Sequence, residues 1–139
     1  MNGINTIQKD GKIFAIVVSR KFDKMGPTFL TPEDFPFQMG VVKYGKDHFI
    51  RTHRHRPFSK PVNSTQEFLA IVEGRLEVSI YTDAWEMLEV VVLEAGDCIL
   101  LAAGGHGMKF LEETKLVEAK QGPYTGVTNE KAFMDEETK

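Results

Sequence analysis

Short apolar runs separated by turn-forming residues are the feature of this chain that most limits its fold. Several of the runs alternate apolar and polar positions, which is the period of a β-strand. Nine such runs are Ile13–Val18, Phe37–Tyr44, Phe49–His55, Phe68–Val72, Leu76–Tyr81, Leu88–Leu93, Cys98–Leu101, Met108–Leu111 and Lys115–Lys120. Glycine, aspartate and proline stand between many of them, and these residues favour turns. The pattern predicts an all-β domain, either a sandwich or a barrel.

Signals for helices and loops are few. Thr31-Pro32-Glu33-Asp34 combines a capping residue, a proline and two acids, and predicts one helical turn. The stretch Arg56–Thr65 is rich in proline, asparagine and serine and predicts a loop between two strands. Glu73-Gly74 lies between two strand patterns and predicts a tight hairpin with glycine at positive φ.

Length and composition favour one domain over residues 1–139. The chain has 139 residues, of which 42% are hydrophobic, enough for one core and short for two. We expect residues 1–35 to be an N-terminal strand-and-loop extension and residues 129–139 to be a polar C-terminal tail. The one cysteine, Cys98, lies in an apolar run and is expected to be a small buried hydrophobe.

Charge and hydropathy argue against two classes of partner. The formal net charge of −3 provides no basic field for nucleic acid. No apolar stretch approaches the roughly 20 residues that a membrane-spanning helix needs, and the N-terminus lacks the pattern of a signal peptide. We therefore predict no nucleic-acid partner, no membrane partner and a cytoplasmic location.

Three of the four histidines, together with one glutamate, are candidate metal ligands. His53 and His55 are separated by one residue, so on a strand both side chains lie on the same face. Glu67 opens a later strand, and His106 follows a pair of glycines. Imidazole and carboxylate together suit zinc, iron, manganese or nickel. The pattern predicts one divalent-metal site, and the alternative is a surface pair of histidines that binds no metal.

The spacing of these residues resembles that of the cupin superfamily. The first cupin motif, Gly…His-x-His…Glu-x6-Gly, corresponds to Gly45, His53, His55, Glu67 and Gly74, and the second is approximated by Gly96, Gly104 and His106. The resemblance covers residues 41–121. It departs from the family in the length of one loop and in the second motif, where Phe110 also replaces a usual asparagine. Eleven residues, in place of three or four, separate His55 from Glu67, and Ala102 stands where proline is usual, with His106 one residue early.

The resemblance implies a fold and a class of function. Cupins are double-stranded β-helices, that is, jelly-roll barrels, and the barrel encloses a cavity that holds the metal. Three segments are similar to a branch of small, single-domain cupins associated with surface-polysaccharide biosynthesis, namely residues 104–107, 111–113 and 118–124. That branch implies a sugar or sugar-nucleotide ligand. The expected protein is a metal-dependent enzyme or binding protein for a small polar ligand; the alternatives are a non-catalytic sensor and a barrel that only dimerises. The pattern assigns no catalytic residue.

Three charged residues are candidate ligand-binding groups. Arg51 lies two residues before His53, so alternation predicts the same inward face, where its guanidinium would hold a carboxylate or phosphate. The alternative for Arg51 is a structural ion pair with Glu118 or another carboxylate. Glu118 and Lys120 share one face of the last predicted strand. Facing inward they would bind ligand or transfer protons, and facing outward they would form a solvated edge.

The apolar face that points away from the metal predicts self-association. Phe68, Ala70 and Val72 lie on that face of one strand and require a cover. Because two-fold dimers are the commonest oligomers, we expect a homodimer. Trp85 lies in a predicted turn, where an aromatic residue either packs locally or marks an interface.

Overall fold

The computed structural model describes residues 2–139, which form ten strands and two one-turn helices. The strands are β1 (Ile4–Lys9), β2 (Lys12–Val18), β3 (Gly26–Phe29), β4 (Gly40–Lys43), β5 (Glu67–Glu73), β6 (Arg75–Tyr81), β7 (Met87–Glu94), β8 (Cys98–Leu101), β9 (Gly105–Phe110) and β10 (Lys115–Lys120). The helices are α1 (Val127–Glu130) and α2 (Met134–Glu137). The predicted predominance of β-structure is confirmed. Neither helix is long and apolar enough to cross a membrane.

Two antiparallel sheets pack face to face, and neither closes into a barrel. The larger sheet has the strand order β1-β2-β8-β5-β10 and the smaller has the order β7-β6-β9, while β3 and β4 form a separate hairpin. Leu69 of β5 and Ile80 of β6 are among the side chains that fill the space between the sheets. Alternation directs these residues inward from each sheet, and their burial from water stabilises the pair of sheets.

The larger sheet also buries its second face. Ile16 and Val18 of β2 and Leu100 of β8 point away from the smaller sheet and form a separate apolar cluster with Met39. Phe22, Leu30, Phe37, Val41 and Phe68 pack against this cluster. Residues 22–41 therefore cover the outer face of the sheet, which explains why β2 and β8 are almost continuously apolar.

The chain crosses between the two sheets at Gly74. β5 ends at Glu73 and β6 begins at Arg75, but these strands belong to different sheets, so the predicted hairpin is wrong. The predicted positive φ is confirmed, because Gly74 has φ +84°. A Cβ atom there would lie 2.3 Å from the carbonyl oxygen of Glu113. Only glycine fits this crossing.

The predicted strand Phe49–His55 is wrong. No strand lies between β4 and β5, and every residue of the exposed segment, residues 44–65, is exposed. A strand requires a neighbour for its N–H and C=O groups, and no strand pairs with this stretch, whose Phe49 and Ile50 remain exposed. Pro57 and Pro61, in the loop that follows this stretch, have no N–H donor either.

Other boundaries differ from the predicted ones. The expected helical turn at residues 31–34 is an irregular turn closed by the N–H of Phe35 and the carbonyl oxygen of Pro32, 3.1 Å apart. The predicted run Phe37–Tyr44 contains only β4, and two strands, β1 and β3, were not predicted. Both lie in the expected N-terminal extension. Their sequences mix polar and apolar residues, so their period is weak.

Candidate ligand-binding cavity

Glu67 is fixed at one end of the larger sheet. It is the first residue of β5 and lies opposite Leu101 of β8 and Lys120 of β10. The preceding residue, Gln66, is 3% exposed, and its backbone N–H donates to Gln121 Oε1 at 2.8 Å. Its side-chain Nε2 donates to the carbonyl oxygen of Ala102 at 3.4 Å. These bonds join the ends of three neighbouring strands and hold the glutamate in place.

His106 approaches Glu67 from the facing sheet. It is the second residue of β9 and is paired with the buried Ile80, so its side chain lies on the inward face. Its Nε2 is 3.4 Å from Glu67 Oε2, with 33% of the histidine side chain and 16% of the glutamate side chain exposed. The structure therefore brings together two of the four predicted metal ligands, one from each sheet.

The pKa values of Glu67 and of the neighbouring Glu118 shift in opposite directions. The hydrogen bond with His106 lowers the pKa of Glu67, and it outweighs the effect of burial, which acts in the other direction. Hydrogen bonding to Glu67, together with burial, raises the pKa of Glu118. Lys120 Nζ lies 3.5 Å from Glu118 Oε1 and partly offsets that rise. The negative charge is thus concentrated on Glu67, which is the state that a metal ion or a hydrogen-bond donor requires.

A cavity of about 460 Å³ opens beside the Glu67–His106 pair. Its volume lies within the range of small-molecule sites. Both sheets and the C-terminal residues contribute to the wall, which contains Thr65, Glu67, Thr82, Asp83, Trp85, Leu101, Ala103, Gly104, Gly105, His106, Lys120, Glu130, Lys131, Ala132, Phe133 and Glu137. The arrangement provides an anion, an imidazole and an ammonium group around one space.

A second cavity, of about 640 Å³, also borders Gly104 and has no comparable cluster. Its wall contains Lys12 and Asp83, which are paired with each other at 2.5 Å. No histidine lines it. The cavity that contains Glu67 and His106 is therefore the better candidate for chemistry.

The other two predicted metal ligands, His53 and His55, lie in the exposed segment. Their rings are 5.4 Å apart in an edge-to-face arrangement. His53 Nδ1 donates to the carbonyl oxygen of Arg51 at 2.8 Å, which leaves Nε2 as the free ring nitrogen. Among residues 2–139, no three His, Cys, Asp or Glu side chains are grouped so that they could hold a metal ion. In this conformation, therefore, two of the four predicted metal ligands lie together, and the other two lie apart from them.

The predicted ligand-binding residues are also divided between two places. Lys120 lines the cavity, and Glu118 lies on the same face of β10, opposite the buried Leu69. Arg51 is exposed in the segment with the histidines. The ion pair considered between Arg51 and Glu118 is not formed: Arg51 is exposed in the segment, and Glu118 pairs with Lys120.

Several residues of the wall were not anticipated from the sequence. Trp85 is in the turn between β6 and β7 with φ +63°, and its indole packs against Gly105. Phe133 and Glu137 come from the polar C-terminal tail. For Trp85, the presence of a tryptophan beside turn residues was a signal in the sequence. For Phe133 and Glu137 the sequence contains no such signal, because their positions depend on contacts with residues distant in sequence.

Comparisons with protein-family models, with curated proteins and with solved structures give no match for this chain.

Proposed function

We propose that this protein binds one divalent metal ion and a small polar ligand in the cavity beside Glu67 and His106. The observation that carries the proposal is the 3.4 Å approach of His106 Nε2 to Glu67 Oε2 from two different sheets. A carboxylate and an imidazole that meet in a cavity are the start of a mixed nitrogen and oxygen metal site. The sequence resemblance to cupins supports the same ligands, and the two facing sheets are compatible with a cupin domain.

The proposed metal site also requires His53 and His55. These histidines reach it only if the exposed segment changes its position. β9, which carries His106, is at the edge of the smaller sheet and has no second neighbour among residues 2–139. An extended segment pairs readily with such an edge. We propose that residues 49–55 add to β9 when metal binds, and that metal–ligand bonds offset the cost of ordering them.

In this proposal each residue of the site has a distinct role. A metal bound there would act as a Lewis acid toward a carbonyl or hydroxyl oxygen of the ligand. Glu67 and His106 hold the metal, and Lys120 attracts a negatively charged group of the ligand. Arg51 would reach the cavity with the same movement that brings His53, and its planar guanidinium suits a carboxylate or phosphate. Glu118 keeps Lys120 oriented through their ion pair.

The ligand proposed is a sugar or sugar-nucleotide derivative, on the basis of the sequence resemblance alone. A non-catalytic binding or sensor protein is the second candidate, because the cavity has no assigned nucleophile or catalytic acid. Incubating the zinc-loaded protein with a panel of sugar nucleotides separates the two functions. Metal-dependent conversion identifies an enzyme, and saturable binding with the compound recovered unchanged identifies a binding module.

Titration of metal ions into chelator-treated protein tests the ligand set. We expect one site for zinc, manganese, nickel or iron(II), and a loss of affinity of more than about 100-fold in Glu67→Gln, in His106→Gln and in the double variant His53→Gln/His55→Gln. His48→Gln is the matched control, because His48 lies in the same exposed segment and stacks on Tyr44. Failure of every metal to bind contradicts the proposal. Unchanged affinity in the double variant removes His53 and His55 from the site.

The expected homodimer remains a proposal. Phe68 packs within the chain against the second apolar cluster, so most of the face for which a partner was expected is already covered. Val72 and Val117 stay exposed at the edge of that face. We propose that a second copy covers this smaller area, and light scattering at micromolar concentration distinguishes a dimer from a 15.7 kDa monomer.

A further inference from the structure

The C-terminal strap, residues 125–138, forms one wall of the cavity without contributing to the core. It contains α1 and α2, and neither helix has a buried residue. Glu130, Phe133 and Glu137 of the strap nevertheless line the cavity together with His106. A segment with little buried area gains little free energy from packing, so its position depends on a small number of specific contacts.

The hydrogen bonds of the strap are local, with one exception. Thr125 donates to Glu130 Oε1 through its backbone N–H at 2.9 Å and through its hydroxyl at 3.1 Å. The side chain of Asn129 donates to the carbonyl oxygen of Thr125 at 3.0 Å. Within residues 2–139, the bond that connects the strap to the sheets runs from Trp85 Nε1 to Glu137 Oε2 and measures 2.9 Å. This single bond joins the strap to the opposite side of the cavity.

Trp85 is a rigid anchor for that bond. Its φ of +63° is in the left-handed region, which is costly for an aromatic residue and persists only where the surroundings impose it. The turn is closed by the N–H of Trp85 and the carbonyl oxygen of Thr82, 3.1 Å apart. A Cβ atom on Gly105 would lie 2.2 Å from Trp85 Cζ3, so the indole rests directly on the residue that precedes His106.

We propose that the C-terminal strap is a movable cover over the cavity, closed when Glu137 accepts the hydrogen bond from Trp85. When this bond breaks, the strap moves away, and the exposure of His106, already 33% in the closed state, and of Glu67 increases, so that an incoming ligand reaches both. Because the closed state depends on one hydrogen bond near the surface, opening costs little free energy. The strap works in this way whether or not the cavity holds a metal ion, so the inference goes beyond the proposed function.

Chemical modification of His106 by diethyl pyrocarbonate, followed by peptide mass spectrometry in the presence of a chelator, measures access to the cavity. Loss of one hydrogen bond to a carboxylate raises the open population, so Glu137→Ala should make His106 react about fivefold faster. Glu136→Ala is the matched control, because it makes the same change of charge one residue away and leaves the bond to Trp85 intact. His48 lies far along the chain in the exposed segment and provides the internal reference rate.

A second variant deletes the same bond from the other side. Trp85→Phe keeps an aromatic ring and removes the N–H donor, so His106 should again react about fivefold faster. Trp85 is the only tryptophan of the chain, and its quenching by acrylamide should increase in Glu137→Ala but not in Glu136→Ala.

Unchanged modification of His106 in Glu137→Ala and Trp85→Phe overturns the proposal. Equal acceleration in Glu136→Ala also overturns it. Zinc binding is not involved in any of these readouts, so they fail or succeed independently of the proposed metal site.

Discussion

The two parts of the predicted metal site differ in what holds their side chains. Glu67 and His106 lie at the ends of strands in two packed sheets, where ladder hydrogen bonds and buried neighbours fix them. His53 and His55 belong to the exposed segment, where no strand pairing and no buried residue restrains them. The same residue types are therefore held by strand pairing and buried neighbours in one place and not in the other. In this chain, residues that the sequence spacing assigns to one site come together only where a sheet fixes the backbone.

Truncation of a large side chain in each region tests the comparison most strongly. Leu69 is two residues from Glu67 on β5 and is 0% exposed, so Leu69→Ala should lower the free energy of unfolding by about 3 kcal/mol. Phe58 in the exposed segment is 71% exposed and contacts Lys60 Nζ 4.7 Å from its ring centre. Phe58→Ala should change stability by less than about 0.5 kcal/mol. Urea unfolding measures both, and a cost above about 1.5 kcal/mol for Phe58→Ala would show that the exposed segment is packed.

The reactivity of a cysteine thiol in each region is expected to show the next largest difference. Burial raises the pKa of Cys98 to about 11. The neutral thiol is therefore favoured in the folded protein, and near pH 8 its thiolate fraction is about 100-fold below that of a free cysteine. Reaction of Cys98 with a disulfide reagent should be slower by at least that factor than reaction of the thiol that Ser59→Cys introduces in a Cys98→Ser background.

The same experiment has a defined pH dependence. Because the folded pKa is raised, the stability that the neutral thiol contributes is present below its unfolded pKa and is lost as the pH rises toward about 11. Reactivity of Cys98 should therefore increase across this range, while that of the thiol introduced at position 59 levels off earlier. Similar rates for the two thiols near pH 8 would contradict the partial burial that raises the pKa of Cys98.

Limited trypsin digestion gives the smallest expected effect and connects the comparison to the proposed metal site. Arg54 lies between His53 and His55 and is exposed, so it should be cut early in chelator-treated protein. If zinc orders residues 49–55, cleavage after Arg54 should slow about tenfold. Cleavage after Lys24, an exposed residue of another loop, controls for inhibition of trypsin by zinc. Equal slowing at both positions would be an effect on the protease, and no slowing would mean that zinc leaves the segment unordered.

Prediction from sequence succeeded for several strands, including the largely exposed β10 and the half-buried β6. Lys115–Lys120 matches β10 residue for residue, and the strand predicted at Leu76–Tyr81 lies within β6. It failed in part at Glu73-Gly74. The positive φ of the glycine was predicted correctly, but the two flanking strands lie in different sheets and do not form a hairpin. A turn between two strand patterns has the same local sequence whether the strands pair or belong to facing sheets. The distinction depends on the Glu113 carbonyl oxygen, which is distant in sequence.

The amino-acid sequence by itself determined that this protein is mainly β-structure, because alternation and turn residues are local properties. It also selected Glu67 and His106 as residues of one site, through their spacing. Only the tertiary structure decided that these two side chains meet, that the C-terminal strap borders their cavity and that His53 and His55 are exposed. The physical reason is that a strand is stabilised by partners that can lie anywhere in the chain. The pattern of Phe49–His55 satisfies the period of a strand and contains no information about whether a neighbour is available.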